Sequence, residues 1–290
     1  MGKTILEALH STTGVFWKKD IESPRIEAEL LLGHILNLKR TELYLNSQQV
    51  LSPEEEGGLQ KLIKERLSGK PLQYILGEVE FYGLKFKIDH KALIPRPETE
   101  ILVSKVLEYF KKEKRETDIL NIVDIGTGSG NIAIALTCNL KNSFVYATDL
   151  SSDALSLARD NAKINKIEDR IEFSCGDLLT PLRGKNLEGK IDVIVSNPPY
   201  VQKEEKEILP REVKDYEPEI ALFPEEGLYR RIIEQSSIYM KKEGGILALE
   251  TGYNQAQVVK NLIEAKGDYT TIEIIKDLAG IERVVFAIKR

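Results

Sequence analysis

Three acids and a glycine-rich turn carry the first chemical signal in this chain. In VDIGTGSGNIAIAL, Gly126, Gly128 and Gly130 are spaced G-x-G-x-G, with Thr127 and Ser129 between them. Glycines at such a turn let the backbone bend sharply and let a ligand approach without a Cβ in the way. The spacing is not the G-x-G-x-x-G of dinucleotide sites, because Asn131 stands where that third glycine would fall. Asp124, just before the loop, would sit badly beside a pyrophosphate and suits a cationic ligand. Asp149 ends the next apolar run, where a carboxylate can accept both hydroxyls of a ribose. Asp177, in SCGDLL, ends the run after that and could accept a hydrogen from the exocyclic amine of adenine. At successive carboxyl ends of a parallel sheet, these acids outline a crevice for a nucleoside.

Strands must end where those residues stand, and the sequence supplies them. ILNIVDIG, FVYATDL, IEFSCGD, IDVIVSNPP, GILALET, TIEIIKDL and RVVFAIK read as strands, and helical segments such as SSDALSLARDNAKIN separate most of them. This alternation predicts a doubly wound, mainly parallel α/β sheet. The short AGIE turn between the last two strands predicts an antiparallel hairpin at one edge. Residues 1–71 show helical periodicity instead. Ser23 and Pro24 begin one helix, with Ile26, Leu30, Leu31, Ile35 and Leu38 expected along its buried stripe. Ser52 and Glu55 form a capping box for another, and Gly69 is its expected stop. Residues 72–90 alternate around Gly77 and Gly83 and predict a β-hairpin linker, leaving 91–290 as the sheet domain.

Composition narrows the function. The 290 residues carry a net charge of -5, which gives no global support for nucleic-acid binding. The three histidines are scattered, the two cysteines lie far apart, and no metal site is expected. The N-terminal segment lacks a basic region followed by an apolar core, and no apolar run is long enough to span a bilayer. A cytoplasmic protein without a membrane partner is expected.

The order DIGTGSG, ATDLS, GD and NPPY resembles the class I S-adenosylmethionine-dependent methyltransferases. The resemblance implies a Rossmann-like seven-stranded sheet with an antiparallel edge hairpin, here beside a small N-terminal helical bundle. It implies S-adenosylmethionine as cofactor, whose sulfonium and amino acid agree with Asp124. NPPY occurs in members that alkylate planar nitrogens, whose lone pair is delocalised. The Asn197 side-chain oxygen and the Pro198 carbonyl can accept the two N–H hydrogens of such a nitrogen. Neither Pro198 nor Pro199 has an amide hydrogen to lend to a strand ladder, and Tyr200 offers a flat face.

Over its whole length the chain resembles the protein-(glutamine-N5) methyltransferases that act on peptide chain release factors. PRIEAELLLGHIL, PLQYILGEVEFYGLKF, LIPRPETE, SNPPYV, YEPEIALF and KDLAGIERVV carry the likeness. It implies that Gly126 to Gly130 and Asp149 hold the cofactor, with Asp124, Asp177, Leu178 and Asn197 beside it. It implies that Asn197, Pro198, Pro199 and Tyr200 hold the glutamine, that Glu98 lines or supports the site, and that the helical module docks the release factor. Two departures stand out: Leu178 replaces a common aromatic residue, and PEEGL follows ALF. Between Lys203 and Glu226 acids outnumber bases, which disfavours a phosphate backbone as direct substrate. The alternatives are glutamine methylation of a ribosomal protein, adenine-N6 methylation of nucleic acid, or a non-catalytic nucleoside-binding module. A monomer is expected.

Overall fold

The computed structural model describes residues 2–113 and 119–290. In chain order the first helices are α1 (Ile5–Trp17), α2 (Pro24–Leu36), α3 (Arg40–Leu45), α4 (Pro53–Leu67) and α5 (Leu72–Leu76). A hairpin of β1 (Glu78–Phe81) and β2 (Leu84–Lys87) precedes α6 (Thr99–Glu113). Then come β3 (Leu120–Ile125), α7 (Asn131–Asn139), β4 (Ser143–Asp149), α8 (Ser152–Ile164), β5 (Ile171–Cys175) and β6 (Val193–Ser196). The chain closes with α9 (Arg211–Tyr216), α10 (Glu219–Leu222), α11 (Leu228–Tyr239), β7 (Ile246–Glu250), α12 (Ala256–Lys266), β8 (Tyr269–Lys276) and β9 (Glu282–Lys289). Among the described residues no helix is long and apolar enough to cross a membrane.

The chain forms two compact units. One is Met1–Gly77 together with Pro210–Tyr216; the other is Glu78–Leu209 with Glu217–Arg290. In the first, Thr4 and Glu7 cap α1 reciprocally and Ser52 and Glu55 do the same for α4, satisfying amides that a helix start leaves open. Ser23 precedes α2 without a side-chain cap. The buried stripe of α2 runs through Ala28, Leu31 and Leu32, whereas Ile26 and Leu30 are exposed. The helix is rotated from the expected stripe because Glu29 is turned inward, where one oxygen accepts from Arg25 and the Tyr44 hydroxyl and the other pairs with Arg40. The hairpin expected over 72–90 begins only at Glu78; residues 72–76 are the short helix α5, ended by Gly77 at φ +74°.

Arg66 ties this unit together. It is 7% exposed and donates two hydrogen bonds to Glu27 of α2, at 2.6 and 3.1 Å, and one to the Lys70 carbonyl. The nitrogen that binds Lys70 also reaches Glu212 of α9 at 3.0 Å, and the Tyr216 hydroxyl donates to the Ser68 carbonyl. A segment distant in sequence is thus held by charge and hydrogen bonds.

In the second unit, seven strands pair in the order β5-β4-β3-β6-β7-β9-β8. The first five strands in that order are parallel, and β9 runs antiparallel to both β7 and β8. Side chains alternate between two cores. Ile122, Val193, Val195, Ala248 and Phe286 pack with α6 and α7 on one face. Val123, Ile194, Leu247, Leu249 and Val285 pack with α11 and α12 on the other. A parallel sheet covered on both faces reads in sequence as nearly continuous apolar runs, as these strands do.

Breaking a buried ion pair from one side leaves its partner charge stranded. Arg66→Met is therefore expected to destabilise the protein by about 3 kcal/mol, and Glu27→Leu added to it should recover much of that loss. Urea unfolding followed by circular dichroism measures both; a midpoint unchanged by Arg66→Met would refute the assignment.

Candidate active site

Strand β3 has β4 on one side and β6 on the other, so the sheet changes its direction of progression there. Register places Ile125 beside Thr148 of β4 and beside Ser196 of β6. The glycine loop after β3 and the NPPY segment after β6 therefore leave the same sheet edge as neighbours. Such a switch point is where open α/β sheets bind ligands.

The loop is built by backbone geometry. Gly126, Gly128 and Gly130 have φ of +69°, +54° and +83°, which L side chains rarely adopt. Gly126 and Thr127 donate to the Thr148 carbonyl at 2.8 and 3.0 Å, and Gly130 donates to the Thr127 carbonyl and caps α7. A Cβ on Gly126 or Gly128 would meet nothing within 4 Å. Both glycines border the cavity, so their missing side chains leave its floor open. At Gly130 a Cβ would press on Ile134 and Ala158, so that glycine serves packing rather than the cavity. Asn161, fully buried on α8, donates to the Ser129 and Lys87 carbonyls at 2.9 and 3.0 Å and accepts from the Lys87 amide at 2.7 Å. It joins the loop to β2.

Asp124 does not border the cavity. It is fully buried, and one oxygen accepts from the Thr127 hydroxyl at 2.7 Å and the Ala133 amide at 3.2 Å, while the other has no partner. Burial pushes its pKa up to about 7; those hydrogen bonds oppose the shift and the charge of Asp149 adds to it. Asp149 does border the cavity. Its oxygens accept from the Gly128 and Ser151 amides, each at 2.8 Å, and burial raises its pKa against those bonds. Asp177 and Leu178 also line the wall. Asp177 is engaged by Arg231 of α11, which also binds Glu225, and Leu178 is held at φ +47°. Gly176 before them is required: a Cβ would lie 2.7 Å from Pro181.

Thr127, Ser129, Asn197, Pro198 and Pro199 complete the part of the wall that the sequence singled out. Among the described residues no donor is bonded to the Pro198 carbonyl or to Asn197 Oδ1. Besides Asp124 and Gly130, two more sequence candidates lie outside this wall. Tyr200 packs against Gly252, where a Cβ would come within 2.9 Å of its ring, and its carbonyl accepts from Gln255. Burial raises its pKa to about 12. Glu98 faces a separate groove between α6 and the β8–β9 hairpin.

Other residues carry the site without having been singled out. Arg96 borders the cavity and binds both oxygens of buried Glu217 at 2.7 and 2.8 Å. This pair joins the IPRPETE segment to YEPEIALF, whose Pro218, Ile220, Ala221 and Phe223 line the opposite wall. Asn197 Nδ2 donates to Thr99 Oγ1 at 3.1 Å. Glu250 ends β7 fully buried, with one oxygen unpartnered. It stands at a strand terminus like Asp149, and that position was the signal available in GILALET.

The comparisons with known proteins bear on the whole chain. The family described as "PrmC N-terminal domain" matches residues 7–77, and "Methyltransferase small domain" matches residues 99–214. The release factor glutamine methyltransferase of Chlorobaculum tepidum is 38% identical over 282 residues, covering 97% of this chain and 95% of that one. The chain belongs to the release factor glutamine methyltransferase family. Another member of that family, from Moorella thermoacetica, is 38% identical and covers 99% of both chains. Among solved structures, the hMettl16 catalytic domain in complex with MAT2A 3'UTR hairpin 1 shares the fold of this release factor glutamine methyltransferase family member. Its TM-score is 0.54 at 19% identity, covering 84% of each chain.

Asp124 has a folded-state pKa above its unfolded value of about 4. Its protonated form therefore favours folding, a contribution complete below about pH 4 and lost as pH rises through about 7. Asp124→Asn keeps an acceptor for Thr127 and removes the titration. The variant's stability relative to wild type, from urea unfolding at several pH values, should rise between pH about 5 and about 8. A constant difference would show that Asp124 does not titrate there.

Proposed function

We propose that this chain transfers the methyl group of S-adenosylmethionine to the side-chain amide nitrogen of the glutamine in the Gly-Gly-Gln loop of a peptide chain release factor. It does so as a monomer in the cytoplasm, where its substrate class works. The reading rests on one juxtaposition: Asn197 and Pro198 share a cavity with the glycine loop and Asp149.

The residues present fit the cofactor. Gly126 and Gly128 leave open space at the cavity floor, and Asp149 is fixed by two amides at the next strand end. These residues, with Asp177 and Leu178 along the wall, would hold it. When bound, it supplies a methyl group already activated on a sulfonium. A carboxamide nitrogen is a weak nucleophile because its lone pair is delocalised. Asn197 Oδ1 and the Pro198 carbonyl each accept one of its N–H bonds, which orients the nitrogen and draws electron density back to it. Pro199, Phe223 and Ile220 give the cavity apolar walls that exclude water. Catalysis then rests on proximity and alignment, and no strong base is needed. The proton lost after transfer goes to bulk water. The helical module docks the protein substrate.

Incubation with labelled cofactor tests the substrate. Label is expected on a release factor and absent from its glutamine-to-alanine variant, from ribosomal protein and from DNA. Label on DNA, or equal label on the alanine variant, would overturn the reading. Asn197→Ala is expected to lower kcat about 100-fold or more while cofactor Kd changes by less than about threefold. A matching loss of cofactor affinity would make Asn197 a cofactor ligand instead.

A further inference from the structure

Residues 176–179 form the cavity wall next to Asp149, and one side of α11 grips them. Arg231, Gln235 and Tyr239 stand four residues apart on that helix, so they share a face. Arg231 Nη2 donates to Asp177 Oδ2, and Gln235 Oε1 accepts from the Leu179 amide at 3.1 Å. The Tyr239 hydroxyl reaches the Leu179 carbonyl at 3.5 Å. From the other side the Gly176 amide donates to the Asp149 carbonyl at 2.9 Å. Leu178 lies between these holds at φ +47°, a conformation that L side chains rarely adopt.

Arg231 is itself fixed. Its other terminal nitrogen, Nη1, donates to Glu225 Oε2 at 2.6 Å, and Arg231, Asp177 and Glu225 all border the cavity. A guanidinium held at both ends is a rigid planar fork. The three side chains are 34%, 44% and 74% exposed, and ion pairs in such a setting add little to folding stability. What the arrangement does define is the orientation of Asp177. With Oδ2 engaged, Oδ1 has no hydrogen-bond partner among the described residues. Leu178 offers a purine only an apolar surface, which cannot tell one base from another. Discrimination falls to Asp177 Oδ1.

We propose that Arg231 is a positioning residue that makes the cofactor site selective for a 6-aminopurine. It holds Asp177 so that Oδ1 accepts a hydrogen from the exocyclic amine of adenine. The proposal rests on the reading of Asp177 and Leu178 as cofactor wall given above. A 6-oxopurine sets a carbonyl oxygen where that amine stands, and carries its hydrogen on the neighbouring ring nitrogen instead. Against a fixed Asp177 it brings oxygen to oxygen. A released Asp177 could swing to the ring hydrogen and accept the wrong base. Glu225 acts at one remove, by keeping the guanidinium from following such a swing.

The test measures binding of S-adenosylhomocysteine and S-inosylhomocysteine to the full chain by isothermal titration calorimetry. The wild-type chain should bind the adenine form about 30-fold more tightly or better. Arg231→Met should cut that preference about fivefold or more. Arg231→Lys keeps the charge but not the fork, and should cut it as well. Asp177→Ala should abolish the preference, and adding Arg231→Met to it should change the ratio no further, because Arg231 acts through Asp177. Equal affinities in the wild-type chain, a wild-type ratio in Arg231→Met or Arg231→Lys, or a further drop in the double variant would each overturn the proposal. If Arg231→Met fails to fold, Arg231→Lys decides. Asp177→Ala separates the two levels. A preference kept in that variant defeats the reading of Asp177 as the base ligand, whereas a preference lost there but intact in both Arg231 variants defeats only the role of Arg231.

Discussion

The position of β3 between β4 and β6 governs the site. The chain winds outward from β3 through β4 to β5, then returns to lay β6 on its other side, and the strand ends stay in register. A glycine loop and a proline-rich turn, about seventy residues apart in sequence, are therefore placed side by side without either needing to be long. Helices on both faces then bury every central strand, so the edge cannot slide without moving apolar side chains out of two cores. The rigidity demanded of a site that works by alignment comes from this packing.

Carboxylates at that edge have distinct tasks despite similar positions. Asp149 is turned toward the cavity and is held by two amides. Asp124 is turned the other way, into the α6–α7 side, where it braces the loop through Thr127 and the start of α7. Glu250 is buried at the end of β7. The buried acids that do not border the cavity, Asp124 and Glu250, are held near a neutral pKa by desolvation. Burying such groups is costly unless they are well partnered, and each retains one unpartnered oxygen. Their place at the edge of a cavity fits a role in geometry rather than in stability.

Much of this was legible in the chain. The seven strands, the edge hairpin, the capping boxes and the glycine loop are written in local patterns, and local patterns suffice for them. What was not legible depends on partners far away in sequence. Asp124 looks like a cavity acid until the hydroxyl and amide that claim it are seen. Tyr200 follows the two prolines but turns to Gly252 and Gln255, which only tertiary packing brings there. In IPRPETE the eye falls on Glu98, yet Arg96 and Thr99 are the residues that reach across, to Glu217 and Asn197. Ile26 and Leu30 of α2 are exposed because one buried glutamate rotates the helix, which apolar periodicity cannot foresee.

Helix α9 has a consequence for how the molecule comes into being. Residues 210–216 complete the helical unit, although almost all of the rest of that unit lies within the first 77 residues. During synthesis from the N-terminus, Arg66 must wait for Glu212 until β6 and the NPPY turn have already been made. The helical part is thus finished late, and it cannot be lifted off at Gly77 as a self-contained cassette. A cut there would leave the helical piece without Glu212 and α9 without Arg66. The chain passes twice through the helical unit, so neither unit is one continuous stretch.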